Sequence, residues 1–235
     1  MHSSLFVLVA ILICAAVSQG PAPTALRVQG SADPIAVDSP PAFSVGIDGS
    51  KDTAHWGANV TFVQVQVSVT AWGGGAARVV WDSGKMVVGS PAQLQWIQYA
   101  GEPLAVDALY TWQARVWTDT GGDDAPSAYG VGPSFRSGLL SEAGWSDSEW
   151  VGNGATNRSD PASSASQLVF DLDVAVPDGS SVEHATCFMS GLGAYAAWVG
   201  GVRIEGDEVH AAVSEWRNRT LYDAFDCTEG VMAGL

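Results

Sequence analysis

Positive charge is what this chain has least of. Ten Lys and Arg stand against 25 Asp and Glu, a formal net charge of -15 with a pI near 4.3. The cations are scattered singly, so no stripe exists to neutralise a phosphate backbone, and nucleic acid does not fit as a partner. Charged residues make up only 15% of the chain while hydrophobic ones reach 47%, which predicts a packed protein rather than an acidic disordered tail. Histidine is as sparse: His2, His55, His184 and His210 lie far apart. Three cysteines, Cys14, Cys187 and Cys227, make no zinc-ligand spacing, so no metal site is legible.

Long apolar runs are missing too, with one exception. The first twenty residues, MHSSLFVLVAILICAAVSQG, hold a continuous apolar stretch from Leu5 to Val17 followed by small residues. That is the length and layout of a secretory signal peptide, residues 1–20, cleaved after Ser18 or Gly20. Its n-region has only His2 for charge. The alternative is an uncleaved anchor, against which counts a run shorter than the ~20 residues of a span. Sequons at Asn59, Asn157 and Asn218 fit an extracellular route and glycosylation. The expected location is therefore secreted and extracellular, with no membrane partner once the leader is gone. Cys14 leaves with it, and Cys187 and Cys227 remain. In an oxidising compartment such a pair is a disulfide candidate, and two separately buried thiols is the other reading.

Helical periodicity is almost absent after Thr24, and short β-runs take its place. In FVQVQVSVT, Val63, Val65, Val67 and Val69 alternate with Gln64, Gln66 and Ser68, a period of two that buries one face and wets the other. In LYTWQARVWTD, Tyr110, Trp112, Ala114 and Val116 share one face and Thr111, Gln113, Arg115 and Trp117 the other. Further runs, Ala25 to Gln29, Ala42 to Ile47, Ala77 to Trp81, Gln93 to Gln98 and Val131 to Phe135, are bounded by turn sequences such as DSPP, GGG and TGGDD. Strands at this spacing predict an immunoglobulin-like or fibronectin type III sandwich over residues 24–137. Tyr110, six residues after Leu104, suits a tyrosine corner.

A polar stretch, NGATNRSDPASSAS, reads as an exposed loop within a linker and interdomain seam over residues 138–166. Phe135, Leu139, Leu140, Trp145 and Trp150 are read as the apolar seam. Beyond it, Gln167 to Val174, Ala185 to Ser190, Ala194 to Val199 and Leu221 to Phe225 predict a second β-sandwich over residues 167–235. It is incomplete, with few strands to close two packed sheets, and a last apolar run begins at Val231. The fold class is all-β, the second unit jelly-roll or galactose-binding-like.

The segments WDSGK (Trp81 to Lys85), YAGEPL (Tyr99 to Leu104), YTWQARVW (Tyr110 to Trp117), FRSGLL (Phe135 to Leu140) and GWSDSEWVG (Gly144 to Gly152) stand in an order that resembles the N-terminal part of secreted α-L-rhamnosidases. SGLGAYAAWVGGVRIEGDEV and LYDAFDCTEG are similar to the next domain of that family. The resemblance covers roughly Ala25 to Gly230. It implies the accessory front portion of an exo-acting, inverting glycoside hydrolase that releases terminal rhamnose from glycosides. The catalytic carboxylates of that family sit in an (α/α)6 barrel that lies beyond Leu235, so this chain is expected to be inactive alone.

Inversion needs an acid and a water-positioning carboxylate roughly 6.5–9.5 Å apart. The pairs Asp171 with Asp173, Asp207 with Glu208, and Asp223 with Asp226 read instead as solvated strand ends and turns, and no catalytic residue is assigned. GLGAYA, Gly191 to Ala196, matches a dinucleotide fingerprint, but Gly200 and Gly201 break any helix after it, so a hairpin is the better reading. The resemblance also implies sugar-binding sandwiches that use aromatic stacking and calcium. Trp198, Asp207, Glu208, Trp216 and Tyr222 are the carbohydrate-binding candidates, with core packing the favoured alternative for Trp198. The oxygens of a calcium cage, about six to eight, are not legible, and no other cofactor is expected. The rival function is a free-standing extracellular binding or adhesion module. A third, a new hydrolase within these 235 residues, requires rhamnoside turnover by the chain alone.

Overall fold

A computed structural model describes residues 20–234 apart from 33, 48–56, 71–74, 122–123, 153–168, 172, 174–175, 177–180, 205–214, 216–217 and 219. The alternating runs become two facing antiparallel sheets. Strands β1 (Ala25–Val28), β2 (Ala42–Gly46) and β6 (Ile97–Gln98) form the smaller, in the order β1-β2-β6. The larger has six strands: β3 (Val60–Thr70), β4 (Arg78–Asp82), β5 (Met86–Val87), β7 (Leu109–Thr118), β8 (Gly130–Val131) and β9 (Phe135–Arg136). Their order is β4-β3-β7-β8, with β5 also on β3 and β9 also on β7. This is the immunoglobulin-like sandwich that the strand spacing predicts.

Period-two patterning fills the space between the sheets. Val63, Val65 and Val67 from β3 and Tyr110, Trp112, Ala114 and Val116 from β7 meet Val28, Phe43 and Val45 across the core. Phe43 sits 4.6 Å from Trp112 and 6.1 Å from both Trp81 and Phe135, ring centre to ring centre. Trp112 satisfies its buried indole N–H on the Pro133 carbonyl at 3.0 Å. Aromatic pairs of this kind contribute about 0.5–1.5 kcal/mol beyond the area they bury. Phe135 therefore belongs to the core of the first sandwich, stacked on Tyr110 at 5.1 Å, and not to an interdomain seam.

The outer face of the larger sheet is not simply wet. Gln113 donates to Gln66 at 2.9 Å, Gln66 to Asp82 at 2.8 Å, Gln64 to the same carboxylate at 2.6 Å, and Arg115 to Gln64 at 2.8 Å. Partial burial raises the Asp82 carboxyl, but donation from Gln66, Gln64 and the Gly84 N–H lowers it further, for a net depression. Lys85 lies 4.0 Å over Phe62, and Arg115 lies 5.1 Å over Trp117. Covered in this way, Trp117 is buried on a face that alternation assigns to solvent.

Three predicted strands take other forms. Within Gln93 to Gln98, a 3-10 turn over Pro91–Gln95 leads into β6. Pro91 presets its φ, and the Gln93 side chain accepts the Gly89 N–H at 2.6 Å. Val131 to Phe135 splits into β8 and β9 because Pro133 offers no donor to the ladder. Of Gln167 to Val174, the described residues 169–171 and 173 form no strand.

In the second unit, β10 (Thr186–Met189) pairs with β13 (Asp223–Asp226), and β11 (Trp198–Val199) with β12 (Val202–Arg203). Gly200 and Gly201, with φ of +53° and +80°, make the hairpin turn that two left-handed residues favour, and no helix begins within GLGAYA. The apolar run at the end is not a strand but part of α1 (Thr228–Ala233). Just ahead of it, Asp226 accepts the Thr228 N–H at 3.0 Å. A Cβ on Gly200 would stand 2.0 Å from the Gly230 carbonyl, so the hairpin lies directly on this helix. Among the described residues no helix is long and apolar enough to cross a membrane.

Tyr110 makes the expected tyrosine corner, its hydroxyl accepting the Ala105 N–H at 2.8 Å. Tyr110→Phe keeps the stacked ring and strands that N–H. We expect a loss of about 1–2 kcal/mol, seen as a midpoint lowered by roughly 2–6 °C in thermal unfolding; an unchanged midpoint would show that water replaces the hydroxyl.

Candidate functional site

Two carboxylates of the first sandwich reach the second unit, and both sit where the strand register puts them. The parallel bridge Val37↔Ser137 brings Asp38 beside the segment after β9. There Leu140, in a left-handed conformation at φ +63°, donates its N–H to Asp38 Oδ1 at 3.3 Å. The Tyr222 hydroxyl, just before β13, donates to the same oxygen. Trp145, at the end of a 3-10 turn over Glu142–Trp145, meets Tyr222 edge-on at 5.4 Å, and Phe188 meets it at 6.0 Å. Asp38, Leu139, Glu142, Trp145, Tyr222 and Asp223 line an open cleft of about 620 Å³ between the two units.

The second carboxylate is Asp107. Thr186, opening β10, donates its hydroxyl to Asp107 Oδ1 at 3.0 Å. Arg136 holds Asp107 from within the sandwich, through its carbonyl at 3.1 Å and its carboxylate at 3.8 Å. His184 continues the chain, with Nε2 2.9 Å from the Thr186 hydroxyl and Nδ1 3.3 Å from that of Thr228. Thr228 in turn accepts the Ala185 N–H at 2.9 Å. With its one proton committed to Asp107, the Thr186 hydroxyl accepts from His184 Nε2. Partial burial pushes the Asp226 carboxyl up, but Thr228, then His184 and Arg136, bring it below the usual range.

Tyr222 thus has its hydroxyl committed to Asp38, with Trp145 edge-on to its ring. Trp150 is 67% exposed. Trp198 is not a core residue either, being 60% exposed on the β11–β12 hairpin with Arg203 5.8 Å over its ring. Asp207, Glu208, Trp216 and Asn157 lie outside the described residues. Asp223 accepts from the Tyr195 hydroxyl at 2.7 Å, and Asp171 and Asp173 are exposed. Among the described residues no group of three or more Asp, Glu, His or Cys side chains is placed to hold a metal ion. Asn59 and Asn218 are exposed. The Asn59 amide N–H donates to Asp119 at 2.9 Å, which holds that carboxyl below its ordinary range. Asp38, Asp107 and Thr186 carried no signal in the sequence, because each is defined by a partner tens of residues away.

A family model described as Rha78A-like, N-terminal immunoglobulin domain, matches residues 23–141. An alpha-L-rhamnosidase of Streptomyces avermitilis is 29% identical over 207 residues, covering 77% of this chain and 19% of its own length. One of Formosa agariphila is 21% identical over 169 residues, covering 66% of this chain and 17% of its own. The chain thus spans about a fifth of the length of these curated relatives. Among solved structures, the alpha-L-rhamnosidase of Dictyoglumus thermophilum superposes with a TM-score of 0.64 at 22% identity, over 89% of this chain and 24% of that one. The enzyme of Aspergillus terreus gives 0.56 at 14%, over 89% and 22%. At these identities the structural likeness shows the shared fold.

Two predictions test the seam. Trp145→Ala removes one side of the Tyr222 contact, worth roughly 1 kcal/mol, so limited proteolysis between the units should run about fivefold faster with sugar affinity unchanged; an unaltered rate would remove Trp145 from the seam. Burial first, and the Asp38 hydrogen bond second, push the Tyr222 phenol above its ordinary value of 10.0. A raised folded value stabilises the fold below pH ~10, and that contribution is lost as pH climbs through the folded value. Tyr222→Phe should make this alkaline decline shallower in an unfolding titration, with Tyr99 and Cys227, each pushed up to about 12, supplying what remains; an unchanged decline would remove Tyr222 from it.

Proposed function

The chain belongs, through residues 23–141, to the family of Rha78A-like N-terminal immunoglobulin domains, and from that membership we propose that it is the accessory front portion of an α-L-rhamnosidase-like glycoside hydrolase. One observation carries this reading. The similarity to the Streptomyces enzyme runs over 207 residues, further than the immunoglobulin domain itself, so it takes in residues beyond the first sandwich. On this reading the two β units form a support for a catalytic portion carried elsewhere in the same protein, which performs the release of terminal rhamnose. Two carboxylates of the second unit favour a supporting role: Asp223 is engaged by Tyr195 and Asp226 by Thr228. The apolar N-terminal run and the exposed Asn59 and Asn218 support secretion and glycosylation of the parent protein.

A free-standing carbohydrate-binding module is the second reading, favoured by the exposed indole of Trp198, which offers a face on which a sugar stacks. Blotting native culture medium with an antibody against residues 24–137 separates the two. We expect a band far above 24.4 kDa and no turnover of a chromogenic rhamnoside by the purified chain. A band near that mass, together with retention on immobilised rhamnose that Trp198→Ala abolishes, would replace the accessory reading with the binding module.

A further inference from the structure

The thiols of Cys187 and Cys227 are placed side by side by the β10–β13 pairing. Thr186 opposes Asp226 and Cys187 opposes Phe225 in register, and the Cys227 N–H extends the ladder to the Ala185 carbonyl at 2.9 Å. Cys227 thus stands opposite Ala185, and Cys187, two residues on, points to the same side of the pair. The Cys227 thiol donates to the Ala185 carbonyl at 3.4 Å, and the Cys187 thiol is close enough to bear on its titration. Both are free thiols in this structure. We propose that Cys187 and Cys227 are a modification site, closed into a disulfide by exchange with a low-molecular-weight disulfide, and that this bond staples β10 to β13.

Accessibility sets the order of events. Cys187 is half-buried, whereas Cys227 is only 3% exposed. Burial, with the Cys187 thiol and the Asp226 charge adding to it, pushes the Cys227 thiol up to about 12, which leaves it almost without thiolate at neutral pH. Cys187 therefore reacts first. It releases its proton to solvent, and its sulfur attacks one sulfur of a glutathione disulfide, breaking that S–S bond and expelling a glutathione thiolate. The neighbouring Cys227 then gives up its proton and attacks the Cys187 sulfur of the mixed disulfide, expelling the second glutathione. Two protein thiols are oxidised by two electrons and one small disulfide is reduced to two thiols.

The bond closes the whole span from Cys187 to Cys227, which contains the β11–β12 hairpin. A closed loop of that length restricts the unfolded chain strongly. It also pins β10, which carries Thr186, to β13, which follows Tyr222, and these two residues reach Asp107 and Asp38.

The full chain, equilibrated with glutathione disulfide at pH 8, alkylated and mapped by mass spectrometry, tests this directly. The expected map shows a Cys187–Cys227 cross-linked peptide, about 2 Da lighter than the two thiol peptides together, with Cys14 outside the cross-link. The oxidised chain should melt roughly 5–10 °C above the reduced one, and Cys187→Ser, which keeps the buried Cys227 in place, should lose that difference. Alkylation of both cysteines, or a separate glutathione on each, would overturn the proposal, as would a cross-link of either to Cys14.

Discussion

The pairing of β3 with β7 is the constraint from which the rest of the molecule follows. Its ladder runs from Val60 opposite Thr118 to Thr70 opposite Leu109, and a slip of one residue would exchange the two faces. Held in register, one face sends Val63, Val65, Val67, Trp112 and Val116 into the core, while the other lines up Gln66, Gln113, Gln64 and Arg115 as a chain of donors and acceptors ending on Asp82. The same register decides what stands at the end of β7. Leu109 pairs with Arg136 and Tyr110 with Phe135, so Asp107, one turn earlier, lies against Arg136. The bridge from Val37 to Ser137 then brings Asp38 to the same end. Both carboxylates that hold the second unit are by-products of correct pairing in the first.

The two contact regimes differ in kind. Between the sheets, stability comes from apolar burial with a few indispensable polar closures, such as the Trp112 indole on Pro133 and the Tyr110 hydroxyl on Ala105. Between the units it comes from hydroxyls donated to carboxylates, Tyr222 to Asp38 and Thr186 to Asp107, with one aromatic contact beside them. Contacts of the second kind are directional and of modest net energy, and interfaces within a chain are typically of this more polar sort. They hold the orientation of the units better than they resist separation.

That division also explains the place of the acidic surface. With a net charge of -15, carboxylates are abundant, and most need only water. Among the described residues, those that meet donors from other segments include Asp38, Asp82, Glu102, Asp107, Asp119 and Asp223. Each of these contacts positions one β segment against another.

Period-two alternation made β3 and β7 legible from the residues alone, since burial on one side of a pleat is a local property written every second position. The Gly200-Gly201 turn was legible for a similar reason, because two left-handed residues in a row need glycine or a near substitute. The short segments were less so: Pro91 and Gln93 turned an expected strand into a 3-10 turn, and Pro133 divided another. Tyr222 was singled out as an aromatic residue able to meet a sugar, and its hydroxyl is committed to Asp38, far away in the chain. Nor did alternation foresee that Trp117 on the outer face is buried under Lys85 and Arg115. By itself, then, the sequence determined the all-β class, the long strands β3 and β7 and the family. Only the tertiary structure decided which carboxylates, hydroxyls and thiols meet, because a hydrogen bond or a thiol contact depends on two segments arriving together and no local pattern encodes the second partner.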